Sequence, residues 1–263
     1  MKAIQHHGVE INYNIYGAGS PTLLFVHGSF IDQTYWQNQV EYFKNKYRIV
    51  TIDLAGHGKS GSNRDVWTVE EFGEDIIAIL KQLDLQNTIL IGHSVGADAT
   101  LEAAVELSDR VTGIIAIDYF KNAGTPLLDK DQVEKITENL NKDFANTSGE
   151  YAKMALLTPE TPPAITEKIV VAYRNADPDM GTKSILSAFE YAERERKLLQ
   201  QLELKLYLIN VDYKPSSEEL LEKYTKSSYE LHSIHGTSHF PMIENPDQLN
   251  KILDEVLTEI LVK

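Results

Sequence analysis

The chain has 263 residues, 42% hydrophobic and 24% charged, a balance that suits one large globular domain, or a core with a modest insertion, around an ample buried interior. A formal net charge of −14 argues against nonspecific binding to nucleic acid or to an anionic membrane surface. The absence of cysteine excludes disulfides, thiolate metal sites and a cysteine nucleophile.

The first residues, Met1-Lys2-Ala3-Ile4-Gln5-His6-His7, carry no apolar leader, and no run reaches membrane-span length. A cytoplasmic protein is expected. Residues 2–6 and the alternating Val9, Ile11, Tyr13 and Ile15 read as a hairpin turned by His7-Gly8. Residues 22–26, 48–52, 88–91, 113–117 and 204–209 are short apolar runs, the pattern of strands buried on both faces of a parallel sheet. Thr68-Val69-Glu70-Glu71 reads as a capping box opening a helix with Phe72, Ile76, Ile79, Leu80 and Leu83 at helical spacing. Residues 129–144, 151–156, 161–175 and 182–202 all read as helix, punctuated by Pro126, Pro159, Pro162, Pro163 and Pro178. Residues 228–234 read as the last strand and 247–261 as a closing amphipathic helix. Strands alternating with helices predict a doubly wound α/β fold with a mostly parallel, eight-stranded sheet. The core is expected over 1–120 and 196–263, with a helical cap inserted at 121–195.

The strongest chemical signal is Gly92-His93-Ser94-Val95-Gly96, which follows an apolar strand and precedes an Ala-rich helix. That order is what a nucleophile elbow requires. The glycines let backbone pass close to a strained serine turn. Ser94 is therefore the expected nucleophile. Its hydroxyl needs a base, and His239, between the last strand and the last helix, is the candidate. His235 competes locally, while His27, His57 and His93 read as structural. Two acids are open: Asp212, just beyond the seventh strand, and Asp118, at the end of the sixth. An oxyanion hole needs backbone N–H donors. Val95, next to the nucleophile, and Ser29, in the loop after the third strand, are the candidates. Asp53-Leu54-Ala55-Gly56-His57-Gly58-Lys59-Ser60 lacks phosphate-loop spacing and reads as a tight turn. No His/Asp/Glu cluster has metal-ligand spacing, so neither metal nor cofactor is expected.

Four segments in this order resemble the α/β-hydrolase superfamily: Phe25-Val26-His27-Gly28, Asp53-x-x-Gly56-His57-Gly58-x-Ser60, Gly92-His93-Ser94-x-Gly96 and His239-Phe240-Pro241-x-x-Glu244-x-Pro246. The likeness covers the core and not the cap. It implies a Ser-acid-His order, a helical lid and an ester-type substrate. It favours Asp212, because the acid of this superfamily usually follows the seventh strand, with Asp118 as the alternative some members use. The usual G-x-x-D before the acid is replaced here by Asn210-Val211-Asp212, one residue short. The loop His27-Gly28-Ser29-Phe30-Ile31-Asp32-Gln33-Thr34-Tyr35-Trp36 also resembles that of small signalling-type hydrolases and plant butenolide receptors.

The expected activity is hydrolysis of a small or medium carboxylic ester, or a related acyl bond, through an acyl-enzyme. A ligand sensor with slow turnover, or a carbon–carbon, thioester or lactone hydrolase, is the competing reading. The expected partner is a small-molecule substrate, with neither nucleic acid nor membrane. Phe30, Trp36, Tyr119, Phe120, Met154 and Phe240 are the pocket candidates, with about half of such aromatics expected to fill core instead.

Overall fold

The computed structural model describes residues 2–262. Lys2–His6 (β1) and Val9–Tyr16 (β2) form the expected hairpin, and His7 (φ 44°) and Gly8 (φ 80°) both adopt the positive φ of a two-residue turn. Thr22–Val26 (β3), Arg48–Ile52 (β4), Thr88–His93 (β5), Val111–Ile117 (β6), Leu206–Val211 (β7) and Tyr229–Ile234 (β8) complete one sheet. Its order is β1-β2-β4-β3-β5-β6-β7-β8. The hairpin pairs antiparallel to β4, and every later pairing is parallel. Leu23, Leu24, Phe25 and Val26 are wholly buried, as a central strand covered on both faces requires.

Gln37–Phe43 (α1), Val69–Gln82 (α2) and Val95–Glu106 (α3) cover the sheet. Thr68 caps α2 by accepting from Glu71 N–H at 3.2 Å. The reciprocal half of the expected box does not form, because the Glu71 carboxylate lies 3.1 Å from His7 Nδ1 and 3.7 Å from Arg64. A complete capping box occurs instead at Asp129 and Gln132.

Five helices lie between β6 and β7, with no strand among them: Lys130–Lys142 (α4), Phe144–Tyr151 (α5), Pro163–Arg174 (α6), Pro178–Glu190 (α7) and Ala192–Gln201 (α8). Asp143 ends α4, and its side chain caps α5, which runs on into a π-helical turn at Ala152–Leu156. The long helix expected over 182–202 is two helices broken at Tyr191, whose buried hydroxyl donates to Glu102 at 2.6 Å. The expected boundary at 195 thus falls inside α8. Glu218–Tyr224 (α9), Pro241–Glu244 (α10) and Pro246–Val262 (α11) finish the chain. Among the described residues, no helix is long and apolar enough to cross a membrane.

Residues 27–30, Ser94, Asp118, 212–214 and 235–239 follow the carboxyl ends of β3, β5, β6, β7 and β8 respectively. In an open parallel sheet that edge is where ligands bind.

Candidate active site

Ser94 connects β5 to α3 with φ 54° and ψ −133°, a strained conformation for a residue with a side chain. Close packing holds it there. A Cβ on Gly96 would lie 2.9 Å from the Val26 carbonyl, and one on Gly92 would lie 2.6 Å from Ala97 Cα. The helix starts at Val95, so the Val95 N–H is among those with no partner inside the helix. Ser29 and Val95 line the same cavity as Ser94, which puts both expected oxyanion donors beside the nucleophile.

His239 is buried, and its Nδ1 lies 2.5 Å from Asp118 Oδ2. Asp118 Oδ1 accepts from Val211 N–H at 3.0 Å and pairs with Lys121 Nζ at 2.7 Å. Burial pushes the Asp118 carboxyl up, but the hydrogen bond and charge of His239, with Lys121, outweigh it and hold the group below its usual range. The favoured acid, Asp212, is placed elsewhere. Its carboxylate meets His235 Nδ1 at 2.9 Å, and both side chains are exposed. The physical reason is the short spacing after β7. Asn210 is still in the strand, its amide tied to Tyr119 and Ser216, so Asp212 leaves on the outer side. The structure therefore brings the alternative acid, Asp118, to His239.

The cavity over Ser94 has two lobes. An apolar lobe of about 70 Å³ is lined by Ser29, Phe30, Val95, Tyr119, Tyr173, Ile185 and Phe189, among others. A more polar lobe of about 160 Å³ adds Asp118, Phe120, Lys121, Asn122, Glu195, Tyr213, Lys214 and His239. Tyr151, Leu127 and Leu156 border both. Of the pocket candidates, Phe30, Tyr119 and Phe120 are thus in place. Three are not. Trp36 is wholly buried against Phe25 and His93. Phe240 is buried behind the site, against His93 and His239. Met154 is 83% exposed, because the π-helical turn points it outward. Lys121, Tyr213, Lys214 and Glu195 escaped the sequence reading. Only the first had a local signal, its position three residues after Asp118.

The three histidines expected to be structural brace loops. His27 Nδ1 meets the Gly28 carbonyl at 2.8 Å, and its Nε2 accepts from Leu54 N–H at 3.0 Å. His57 Nδ1 meets the Ala55 carbonyl at 2.9 Å, and burial lowers its pKa to about 3. His93 Nε2 reaches the His239 carbonyl at 2.8 Å, tying the elbow to the histidine loop; burial keeps it neutral. The glycine-rich loop after β4 wraps its own aspartate. Asp53 accepts from the N–H groups of Gln33 and Lys59, each at 2.9 Å, and a Cβ on Gly58 would collide with it. In the loop that resembles the signalling hydrolases, Asp32 caps a short 3₁₀ turn, Gln33 bonds Asn14 and Thr51, and Trp36 fills core. Among the described residues, no group of three or more His, Asp or Glu side chains could hold a metal ion.

Comparisons with known proteins agree with this architecture. A 3-oxoadipate enol-lactonase 2 of Acinetobacter baylyi is 25% identical over 95% of this chain and 93% of its own. Strigolactone esterase D14 of Arabidopsis thaliana is 24% identical over 96% of this chain and 98% of its own. A solved thermophilic esterase from Thermogutta terrifontis superposes with a TM-score of 0.83 at 22% identity, covering 99% of each chain. The family model described as alpha/beta hydrolase matches residues 23–252, which leaves out the β1–β2 hairpin and the end of α11, and the chain belongs to that family.

Proposed function

We propose that this chain is a serine hydrolase that cleaves a small or medium carboxylic ester, or a related acyl bond such as a lactone, in a small-molecule substrate. One observation carries the reading. Ser94, on its strained elbow, shares a cavity with His239, and the buried His239 ring is held at 2.5 Å by Asp118. The lactonase and esterase names of the two relatives set the breadth of the bond class.

In this mechanism Ser94 Oγ attacks the carbonyl carbon while His239 Nε2 takes its proton. Asp118 holds Nδ1–H and stabilises the imidazolium. The N–H groups of Ser29 and Val95 receive the negative charge that develops on the carbonyl oxygen. His239 returns the proton to the departing alkoxide, leaving an acyl-Ser94. Water, deprotonated by His239, then releases the acid and restores the serine. Every step uses protein groups and water. The acyl chain lies in the apolar lobe, beside the oxyanion donors, and the helices between β6 and β7 act as its lid.

Fluorophosphonate labelling followed by peptide mass spectrometry tests this, with Ser94→Ala and His239→Ala alongside. The expected result is an adduct on Ser94, lost in Ser94→Ala and slowed by orders of magnitude in His239→Ala, with matching losses of ester turnover. Folded protein that takes no label and turns over no ester or lactone would refute the proposal and leave a ligand sensor.

A further inference from the structure

We propose that Lys121 is a positioning residue, which fixes the Asp118 carboxylate on His239 and holds a positive charge beside the imidazole. The inference rests on the serine-hydrolase reading above.

The local chain explains how Lys121 arrives there. Asp118 and Phe120 both take positive φ, 50° and 52°, which turns the backbone sharply after β6. Lys121 thereby folds back onto Asp118. Its Nζ lies 2.7 Å from Asp118 Oδ1 and donates to the Val211 carbonyl at 3.1 Å. The ammonium also sits 4.7 Å from the Tyr213 ring centroid. The Lys121 side chain is 13% exposed and that of Asp118 is 1% exposed. A pair this buried gives up hydration on both charges, so it is a poor device for stability alone. Its geometry suits a different task. Val211 N–H and Lys121 hold one carboxylate oxygen, leaving the other directed at His239 Nδ1. The same positive charge acts against a second positive charge on the nearby imidazole.

The other groups that face this cluster are few. His93, from β5, is neutral, with its ring centroid 4.6 Å from that of His239. Tyr213 and Lys214 follow β7, and Lys214 Nζ is bonded to the Ala155 carbonyl at 2.7 Å. Glu244, on α10, accepts from Ser238 N–H. Glu195, on α8, borders the polar lobe. Among these, Lys121 alone bonds the carboxylate that holds His239.

The test is the pH dependence of Ser94 labelling and of kcat/KM in Lys121→Met and Lys121→Arg. In Lys121→Met the acid limb should move to higher pH by about 1 unit, because the repelling charge is gone. Lys121→Arg keeps the charge and should restore the wild-type limb. An acid limb in folded Lys121→Met that superposes on the wild type's, whatever happens to kcat, would overturn the inference. Lys121→Gln replaces Lys121→Met should that variant not fold. NMR titration of the His239 ring, in a Ser94→Ala background with and without Lys121→Met, gives the same answer without turnover. Absence of labelling in the wild type would refute the hydrolase reading, whereas an unmoved His239 titration would refute the role of Lys121.

Discussion

His239 Nδ1 and Asp118 Oδ2 lie 2.5 Å apart across 121 residues of sequence, both buried, while Asp212 pairs with His235 at the surface. The two aspartates should therefore differ sharply on substitution. Asp118→Asn keeps the shape but presents an amide to Nδ1, which leaves the imidazole in the wrong tautomer and its charge uncompensated. A loss in kcat of about 10⁴-fold is expected, the scale seen when a triad aspartate is neutralised. Asp212→Asn should leave kcat/KM at the wild-type level, since an exposed pair contributes little. Steady-state kinetics on both variants decides it. A severe loss in Asp212→Asn alone would reverse the assignment.

Gly28 is the second place where the geometry is tight. A Cβ there would lie 2.8 Å from Ser94 Cβ and 2.9 Å from His93 Nδ1. Neither neighbour can yield freely, because the elbow is strained and His93 is tied to the His239 loop. Gly28→Ala should cost about 1–3 kcal/mol of stability through overpacking. Ser94 labelling should slow far more than that cost implies, because Ser29 and its N–H move with the loop. Urea melts and labelling rates measured together separate the two effects. Labelling at the wild-type rate would show that the 28–29 backbone does not help to shape the site.

The apolar lobe makes a prediction about chain length. Phe189 and Ile185, on α7, line it beside Phe30 and Val95. Phe189→Ala should enlarge the lobe and shift the preferred p-nitrophenyl ester toward longer acyl chains. Met154→Ala should not, because that side chain is exposed and lines neither lobe. A kcat/KM series over acyl length checks both. An unchanged optimum in Phe189→Ala would place the acyl chain elsewhere.

What could be read from the residues alone follows from locality. The elbow is visible because one pentapeptide, its strand and its helix are contiguous, so Ser94 and Val95 needed no tertiary knowledge. His239 was reachable from its place between β8 and α10. The acid was not, because Asp118 and Asp212 both follow strands, and only the course of the chain beyond Asn210 decides which meets His239. The lining failed for the same reason. Trp36 and Phe240 are as aromatic as Phe30, and only packing against Phe25, His93 and His239 distinguishes them. Lys121, Tyr213 and Glu195 come together from three distant segments. The sheet suffered little, since its buried strands are short apolar runs. The helices α1, α5 and α9 carry too few apolar residues to show a stripe.

The last prediction concerns pH and the helices over the cavity. Burial pushes the Glu195 carboxyl, on α8, up to about 7 from an ordinary 4.5. Burial, and then the charge of Glu195, raise Asp98 as well; it is wholly buried on α3, where its Oδ2 accepts from the Tyr119 hydroxyl at 2.6 Å. Both acids thus favour a proton in the folded state and hold it more tightly than the unfolded chain does. A raised folded pKa adds stability that is fully present below the unfolded value, near 4.5, and is lost as pH rises through about 7. The melting temperature should therefore fall between about pH 5 and about pH 8. Glu195→Gln is neutral throughout and should flatten that fall, melting above the wild type on the alkaline side. Asp98 would then titrate without the charge of Glu195 but still beside Glu102, so the slope shrinks rather than vanishes. Differential scanning calorimetry of the two proteins across that range is the measurement. Parallel curves would mean that this pair does not couple α8 to α3 through a shared proton.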